Sequence, residues 1–237
     1  MKAMVLAAGL GTRLGELGRT TPKCLVQAGG KSMLEHVITR LRQAGVTEIV
    51  INLFHLGEQI ESFVDPSKLG ISVQFSKETE LLGTGGGLKA AAQHFAREEL
   101  FLMHNADIYS EINLRALIAA HRTKRPLATL AVMERETSRP LVFDGASQLV
   151  GWESKENQKQ DLLGAAEPLR RYAFSGIQVL SPEVFNHMAG ERGSFSIIRT
   201  YMNAARAHKP IVAYLTDEYW LDIGTPDKLK QLNQHLA

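Results

Sequence analysis

A short apolar run near the start of the chain leads directly into a glycine-rich turn. The run covers residues 4–8, the turn contains Gly9, Gly11 and Arg13, and Lys23 follows ten residues after Arg13. A strand that ends in such a turn presents backbone N–H groups to a phosphate chain, and glycine permits close approach because it has no Cβ. The arginine adds a planar guanidinium that can donate two parallel hydrogen bonds, and the lysine adds a compact positive charge on a flexible side chain. The segment therefore predicts a phosphate-binding loop after a buried strand.

Two better-known phosphate-binding loops fit this segment less well. A P-loop has four residues between its glycines, and Gly9 and Gly11 do not have that spacing. A dinucleotide-binding fingerprint needs a third glycine where Leu14 stands and an acidic residue after the second strand, where Asn52 stands. These departures argue against a nicotinamide-dependent oxidoreductase.

Composition narrows the class of protein. The chain has 237 residues, enough for one large domain or two small ones, and its net charge of +2 gives no footprint for nucleic-acid binding. Cys24 is the single cysteine, so no internal disulfide can form, and its apolar neighbours favour packing over reactivity. No signal peptide and no apolar stretch of membrane-spanning length is found, so we expect a cytoplasmic protein without membrane contact.

Helical and strand patterns alternate along the chain, which is typical of an α/β protein. Ser32 and Glu35 predict a capping box at the start of one helix, and Gly45 its end. Further strands are predicted at residues 48–52, 71–75, 100–103, 128–133, 173–180, 211–215 and 220–223, a hairpin at 141–150, and helices near 60–64, 88–96, 114–118, from Pro182 and at 225–236. Residues 154–171 are polar and aperiodic, which predicts a mobile loop near the site.

These patterns together predict one Rossmann-like domain over residues 1–237. We expect a mixed, mainly parallel sheet with helices on both faces, and a substrate-binding lobe inserted in the second half. The nucleotide-binding part would cover about residues 1–125, and the lobe about 126–237.

Two acidic residues stand where an open α/β sheet could use them. Asp107 follows the predicted strand 100–103, at the edge where such sheets bind ligands. Asp222 lies between Leu221 and Ile223 in a short apolar strand, where an unpaired carboxylate would be costly to bury. Magnesium prefers one or two carboxylates plus phosphate oxygens. The pair predicts a Mg²⁺ site, although Asp107 alone could be an ordinary turn residue.

Several of these segments resemble the sugar-1-phosphate nucleotidylyltransferases. That family opens with a strand, Ala-Ala-Gly-x-Gly-Thr-Arg and a later Pro-Lys, and the chain has this sequence at residues 7–13 and 22–23. The family's second metal-binding aspartate stands in Trp-x-Asp-Ile-Gly-Thr-Pro, which matches residues 220–226. The family's first metal-binding aspartate follows a glycine, and in this chain Ala106 stands in place of that glycine. The resemblance covers nearly the whole chain and is strongest to short bacterial members.

The resemblance implies roles for individual residues. Arg13 and Lys23 would be catalytic, Asp107 and Asp222 would hold Mg²⁺, and the second half would be a sugar-binding lobe. Nucleotide contacts are implied for Ala8, Gly9, Gly11, Thr12, Arg13, Thr84 and Gly85. The last two belong to the glycine-rich segment 82–87, which we expect to pass close to the base just before the helix at Leu88, or else to be only a flexible helix N-terminus.

Sugar contacts are implied less completely. Ser175 and Gly176 match the strand that closes the family's sugar pocket, although many members have Asn where Ser175 stands. Of the family's Glu-Lys-Pro sugar motif only Lys155 is in register. Sugar identity therefore stays open at this stage.

The implied reaction is nucleotidyl transfer from a nucleoside triphosphate to a sugar 1-phosphate, with release of pyrophosphate. UTP with N-acetylmuramate 1-phosphate is the first expectation, and GTP with mannose or heptose 1-phosphate is the alternative. A different class, a regulatory module that binds a sugar nucleotide without turnover, would be expected to have lost one of the two cations or two acids, and all four are present. The oligomeric state is not indicated.

Overall fold

A computed structural model describes residues 1–164 and 168–237. Its strands, in chain order, are β1 (Lys2–Leu6), β2 (Gln27–Ala28), β3 (Lys31–Ser32), β4 (Glu48–Leu53), β5 (Ser72–Lys77), β6 (Phe101–Asn105), β7 (Ile108–Ser110), β8 (Ala128–Met133), β9 (Leu141–Phe143), β10 (Leu149–Ser154), β11 (Lys159–Leu162), β12 (Arg170–Leu180), β13 (Ile211–Leu215) and β14 (Trp220–Asp222).

The helices alternate with these strands, as the sequence predicts. They are α1 (Glu16–Thr20), α2 (Met33–Gln43), α3 (Gly57–Phe63), α4 (Pro66–Leu69), α5 (Gly83–Ala90), α6 (Leu114–Lys124), α7 (Ile197–Arg206) and α8 (Pro226–His235). Short 3₁₀ helices cover Thr12–Leu14, Lys23–Leu25, Ala92–His94 and Pro182–Met188. In the described part of the chain, no helix is long and apolar enough to cross a membrane.

One large mixed sheet organises the molecule. Strands β5, β4, β1 and β6 are parallel neighbours, so their carboxyl ends lie at the same edge. The long strand β12 runs antiparallel to β6 and also pairs with β8 and β9, and the sheet continues from β9 to β10 and β11. The predicted Rossmann-like mixed sheet is confirmed, with antiparallel pairing introduced by the second half.

Helices cover both faces of the sheet because successive side chains of a strand point to opposite faces. Ala3 and Val5 of β1 lie in one core cluster, which α2, α3 and α6 complete. Met4 lies in the other cluster with residues of α5 and α7. A third, smaller cluster packs α8 beneath β14. The expected arrangement of helices on both faces is therefore confirmed.

Local signals at helix ends are mostly confirmed. Ser32 and Glu35 form the predicted capping box on α2, and Gly45 follows its end with a φ of 90°. Thr225 accepts a hydrogen bond from the Lys228 N–H at the start of α8, with Pro226 in the first turn. These ends follow from local hydrogen bonding, so the sequence is sufficient to find them.

Two predictions about local structure were wrong. The helix expected at 88–96 begins at Gly83 and ends at Ala90, because contacts from distant residues hold the glycine run in helical form. The segment 154–171, expected to be a mobile loop, contains the strand β11, which pairs antiparallel with β10, and the first residues of β12. Ladder hydrogen bonds supply the order that its polar composition did not indicate. Residues 165–167 of that segment lie outside the described residues.

Candidate active site

The loop after β1 is held by close glycine contacts. Gly11 has a φ of 66° and accepts a hydrogen bond from the Leu14 N–H at 2.9 Å. Gly18 of α1 packs directly on Gly11, where a Cβ would collide with the Gly11 carbonyl oxygen. The contact leaves Thr12 and Arg13 exposed to solvent. The loop therefore offers both main-chain groups and a guanidinium to an incoming anion.

Lys23 and Asp107 meet at the carboxyl edge of the sheet. Asp107 follows β6, and the Ala106 N–H just before it donates to the Leu6 carbonyl of β1 at 2.9 Å. The Lys23 ammonium forms an ion pair with Asp107 Oδ2. The lysine side chain is only 13% exposed, against 29% for the aspartate. A predicted cation and a predicted metal ligand are thus in direct contact.

Asp222 lies on a two-strand ribbon beside Asp107. In the pairing of β14 with β7, Asp222 is opposite Ile108, and the Ile223 N–H donates to the Asp107 carbonyl at 3.0 Å. Its Oδ1 accepts the Gly224 N–H at 2.9 Å, and Oδ2 pairs with Lys228 in the first turn of α8. The two acids, 115 residues apart in sequence (222 − 107), are held next to each other by backbone hydrogen bonds.

The charge environment keeps Asp222 ionised. Burial acts to raise the pKa of Asp222, but the hydrogen bond and charge of Lys228, the Gly224 N–H and the charge of Lys23 together hold it below its ordinary value. Arg13 also reaches this loop, since a Cβ on Gly224 would lie 3.2 Å from its Nη2. Arg13, Lys23 and both acids therefore converge on one spot.

The donor set fits a divalent cation of the magnesium type. Asp107 uses Oδ2 for Lys23, and in the described residues its Oδ1 accepts no hydrogen bond. No cluster of three or more His, Cys, Asp or Glu residues that could form an all-protein cage is found in the described residues. Two carboxylates with room for phosphate oxygens are the arrangement that Mg²⁺ favours over such a cage.

A cavity of about 190 Å³ adjoins this cluster, between the end of β1 and the start of α5. It brings five of the predicted residues together with several that the sequence did not indicate. Its lining consists of Leu6, Ala7, Ala8, Gly9, Lys23, Cys24, Asn52, Leu81, Gly83, Thr84, Asn105, Ala106 and Asp107. We call this cavity the nucleotide cleft.

The glycine run at the start of α5 serves packing within the protein. The Gly85 N–H donates to the Phe195 carbonyl at 2.9 Å, and a Cβ on Gly85 would collide with the Phe195 ring. Thr84 Oγ1 accepts the Ile197 N–H of α7 at 2.9 Å. Gly87 has its own close neighbour, as a Cβ there would lie 2.6 Å from Glu78 Oε1. These close contacts are made with other parts of the protein, and nucleotide binding by Thr84 and Gly85 stays a prediction.

Ser175 and Gly176 contact the two-strand ribbon that β7 and β14 form and that carries Asp222. Ser175 is fully buried, its Oγ accepts the Ile177 N–H at 3.3 Å, and its carbonyl accepts Trp220 Nε1–H at 2.7 Å. Gly176 has a φ of 76°, and a Cβ there would lie 2.6 Å from Ile108 Cδ1. The irregular pairing of β12 at these residues thus supports the strand that carries Asp222.

Lys155 is not joined to the other predicted residues. It is exposed in the turn after β10, where its N–H donates to the Ser138 carbonyl at 2.8 Å. Its ammonium forms no hydrogen bond or ion pair with the described residues. A role in sugar binding stays a prediction for this residue.

Two cations near Asp222 were missed from the sequence. One is Lys228. The other is Arg135, whose guanidinium lies 4.1 Å from the ring centroid of Trp220 and whose Nη2 donates to the Phe174 carbonyl at 3.4 Å. Although Arg135 is exposed as a residue, partial burial of its guanidinium lowers the pKa of Arg135, and the charge of Asp222 opposes that shift. Lys228 lies in the first turn of α8, six residues after the Asp222 that it contacts, whereas Arg135 reaches Phe174 and Trp220 through contact between distant segments.

Cys24 lines the cleft as a packing residue, as predicted. Burial raises the pKa of its thiol to about 12, an effect that the neighbouring charge of Asp107 reinforces. A thiol with so high a pKa is not a nucleophile near neutral pH. The chemistry of the cleft therefore depends on cations and carboxylates.

Comparison with known proteins places these residues in a family context. The sequence profile described as nucleotidyl transferase matches residues 2–237. N-acetylmuramate alpha-1-phosphate uridylyltransferase of Neisseria meningitidis serogroup B is 33% identical over 98% of the chain and 96% of its own length. D-glycero-alpha-D-manno-heptose 1-phosphate guanylyltransferase of Campylobacter jejuni is 28% identical over 96% of each chain. A rice protein named "Probable mannose-1-phosphate guanylyltransferase 1" is 31% identical over 95% of this chain and 62% of its own length.

Solved structures support the same fold. UDP-glucose pyrophosphorylase from Acinetobacter baumanii superposes with a TM-score of 0.81 at 18% identity, covering 99% of this chain and 92% of that one. HddC from Yersinia pseudotuberculosis, complexed with GMP-PN, gives a TM-score of 0.78 at 22% identity over 100% and 99% of the two chains. Because both sequence identities are low, the similarity to these structures shows a shared fold only.

Proposed function

The chain belongs to the nucleotidyl transferase family, and from that premise we propose that it transfers a nucleoside monophosphate from a nucleoside triphosphate to a sugar 1-phosphate. A phosphate oxygen of the sugar 1-phosphate attacks the α-phosphorus, the bond from that phosphorus to the bridging oxygen breaks, and pyrophosphate leaves with the bonding electron pair. The observation that carries the proposal is the convergence of Arg13, Lys23, Asp107 and Asp222 beside the nucleotide cleft.

The protein's own groups act by alignment and charge neutralisation. The loop after β1, with Gly9 and Gly11, donates main-chain N–H groups to the triphosphate. The Arg13 guanidinium binds the β- and γ-phosphates that depart as pyrophosphate. Lys23, held at the edge of the cleft by Asp107, neutralises charge near the reacting phosphorus.

Asp107 and Asp222 are the residues that would hold a divalent cation. When bound, Mg²⁺ would supply charge neutralisation between the two phosphate groups. The adjoining lysines have a second role, because Lys23 and Lys228 fix the orientation of the two carboxylates. The acceptor side has its own cation, since Arg135, stacked on Trp220 near Asp222, is placed to receive the phosphate of the sugar 1-phosphate.

UTP and N-acetylmuramate 1-phosphate are the substrates we propose first. The support is the similarity to the Neisseria uridylyltransferase over nearly the full length of both chains. GTP with mannose or heptose 1-phosphate is the alternative, supported by the rice and Campylobacter relatives. A cytoplasmic location goes with either pair, because nucleoside triphosphates are the donors.

A pyrophosphate-release assay tests the proposal. The protein is incubated with MgCl₂, each of the four nucleoside triphosphates and a panel of sugar 1-phosphates, with Asp107→Asn as the control for the carboxylate site. We expect release that depends on both substrates and on Mg²⁺, greatest with UTP and N-acetylmuramate 1-phosphate. Release only with GTP would favour the alternative pair. Nucleotide binding without release from any pair would contradict the enzyme and favour the regulatory module.

A further inference from the structure

A buried chain of hydrogen bonds connects the two walls of the nucleotide cleft. Asn52 Oδ1 accepts the Ala7 N–H at 2.7 Å, and Asn52 Nδ2 donates to Glu78 Oε1 at 2.6 Å. Glu78 Oε2 then accepts the Leu82 N–H at 3.1 Å, immediately before α5. Asn52 is 3% exposed and Glu78 is 9% exposed. We call this set of three hydrogen bonds the Asn52–Glu78 relay.

The polarity of the relay is fixed at both ends. The Ala7 N–H and the Leu82 N–H can only donate, so the atoms of Asn52 and Glu78 that face them must accept. Asn52 therefore presents its amide nitrogen to Glu78, and the carboxylate is the group that accepts from both sides. The Glu78 N–H also donates to the Leu53 carbonyl at 2.8 Å, which ties the residue to the end of β4.

The relay lies between the surfaces that form the cleft. Ala7, Ala8 and Gly9 line one wall, Leu81, Gly83 and Thr84 line the other, and Asn52 itself lines the cavity. Gly87 packs on the relay from above, where a Cβ would lie 2.8 Å from Asn52 Nδ2. The spacing of the walls is thus set by buried polar contacts whose loss leaves a donor or acceptor unpaired.

We propose that Asn52 and Glu78 are positioning residues that fix the width of the cleft for the nucleotide. This inference rests on the proposed function, in that the cleft takes the nucleoside triphosphate. Neither residue touches the reacting phosphates. Their effect is on the binding of the donor, transmitted through Ala7 on one side and the start of α5 on the other.

The polarity of the relay provides a sharp test, a cycle of two single variants and one double variant. Glu78→Gln leaves one N–H facing another N–H in either orientation of the new amide. Asn52→Asp places two carboxylates against each other. The double variant Asn52→Asp with Glu78→Gln restores all three hydrogen bonds. Its carboxylate at position 52 can accept from the Ala7 N–H and from the amide nitrogen at position 78, and the amide oxygen at position 78 can still accept from the Leu82 N–H.

We expect each single variant to raise KM for the donor, UTP or GTP, by about tenfold or more, the scale for one unpaired buried polar group. The values of kcat and of KM for the sugar 1-phosphate should stay close to those of the wild type. The double variant should have a lower donor KM than either single variant. A purely structural role would lower the melting temperature without this split between donor and acceptor.

Glu48→Gln is a matched control. Glu48 of β4 and Gln74 of β5 form another amide–carboxylate hydrogen bond, at 2.8 Å, toward the opposite edge of the sheet, where Glu48 also pairs with Lys2 at 3.0 Å. This variant should leave donor KM unchanged. Single variants with wild-type donor KM, or a double variant no better than the worse single variant, would overturn the relay.

A binding measurement separates this inference from the proposed function. The rise in melting temperature on adding UTP or GTP requires no turnover, so the cycle can be read even if no pyrophosphate is released. Absence of turnover in the wild type contradicts the proposed function, whereas unaltered nucleotide binding in both single variants contradicts the relay. If a single variant does not fold, a folded double variant that binds the nucleotide supports the relay, and a double variant that also fails to fold overturns it.

Discussion

The nucleotide cleft and the region around Arg135 and Trp220, which we propose as the donor side and the acceptor side of the site, are built in different ways. On the donor side, the buried side chains of Asn52 and Glu78 and the half-buried hydroxyl of Thr84 tie the main-chain segments of the nucleotide cleft to the core. On the acceptor side, the exposed Arg135 stacks its guanidinium on Trp220 near Asp222. Lys155, for which sugar binding stays a prediction, is also exposed, and its ammonium has no partner among the described residues.

This difference predicts how the two sides respond to substitution. A wall built from backbone and buried polar contacts constrains substitution, because a change on it leaves a buried group unpaired. An exposed cation can be exchanged at little cost in folding free energy. We therefore expect substitutions on the donor side to affect folding and nucleotide binding together, and substitutions on the acceptor side to affect the second substrate alone.

Lys23→Ala should have the largest effect, because Lys23 stands between the two sides. Turnover should fall by about 10²–10³-fold, the scale seen when one preorganised charge-stabilising group is lost. Steady-state release of pyrophosphate measures it, with Lys31→Ala on the exposed strand β3 as the control. A turnover close to that of the wild type would remove Lys23 from the mechanism.

Gly85→Ala tests the rigidity of the donor side. The added Cβ would collide with the Phe195 ring, and such overpacking should lower the free energy of unfolding by about 1–3 kcal/mol. Urea denaturation followed by circular dichroism measures it. Gly190→Ala is a suitable control, since nothing lies within 4 Å of a Cβ there. Equal stability of the two variants would mean that the start of α5 can shift freely, so that the donor side would be no more rigid than the acceptor side.

Arg135→Ala tests the acceptor side. Loss of this guanidinium should raise KM for the sugar 1-phosphate about tenfold, equivalent to about 1.4 kcal/mol, and leave KM for the nucleotide unchanged. Arg139 provides the matched control, because it is exposed in the same loop and pairs with Glu156 at 3.2 Å. An equal rise in both KM values would show that the two sides are not independent.

Acidification should lower the free energy of unfolding. Burial lowers the pKa of His104 in β6 to about 4, and it does the same for His121 of α6, which contacts Thr129 and Ser181. At pH values above the ordinary histidine pKa of 6.5, both histidines are neutral in the folded and in the unfolded chain, so their protonation does not change the free energy of unfolding. Below that pKa the unfolded chain binds the extra protons, and stability falls as the pH approaches 4.

Urea midpoints measured from pH 8 to pH 4 test this smallest effect. The midpoint should be flat above pH 7 and fall below pH 6.5, and His121→Asn should reduce the slope of that fall. A slope in the variant identical to that of the wild type would exclude His121 as a contributor.

The sequence was most informative where function depends on local pattern. The strand, the loop at residues 9–13, the capping box and the strand carrying Asp222 could all be predicted, because each follows from neighbouring residues. The start of α5 could not, since Gly85 is held by Phe195, more than a hundred residues later (195 − 85 = 110). The strand β11 was missed for the same reason, because its order comes from pairing with β10.

The candidate site shows the same division. Lys23 and the two acids could be named from motifs, whereas Arg135, Asn52 and Glu78 acquire their places only through tertiary contact. For Ser175 the motif gave a position in the fold, but burial and the hydrogen bond from Trp220 explain that residue in structural terms. Residues that act through other residues leave no periodic signal in a single sequence.

The strand β12 pairs with β6 of the first half and with β8 and β9 of the second. Because one continuous segment serves both halves, neither can be excised as an autonomous fragment without exposing a long unpaired strand edge. Engineers who wish to exchange acceptor specificity between relatives should therefore graft loops onto an intact sheet, and should not recombine halves.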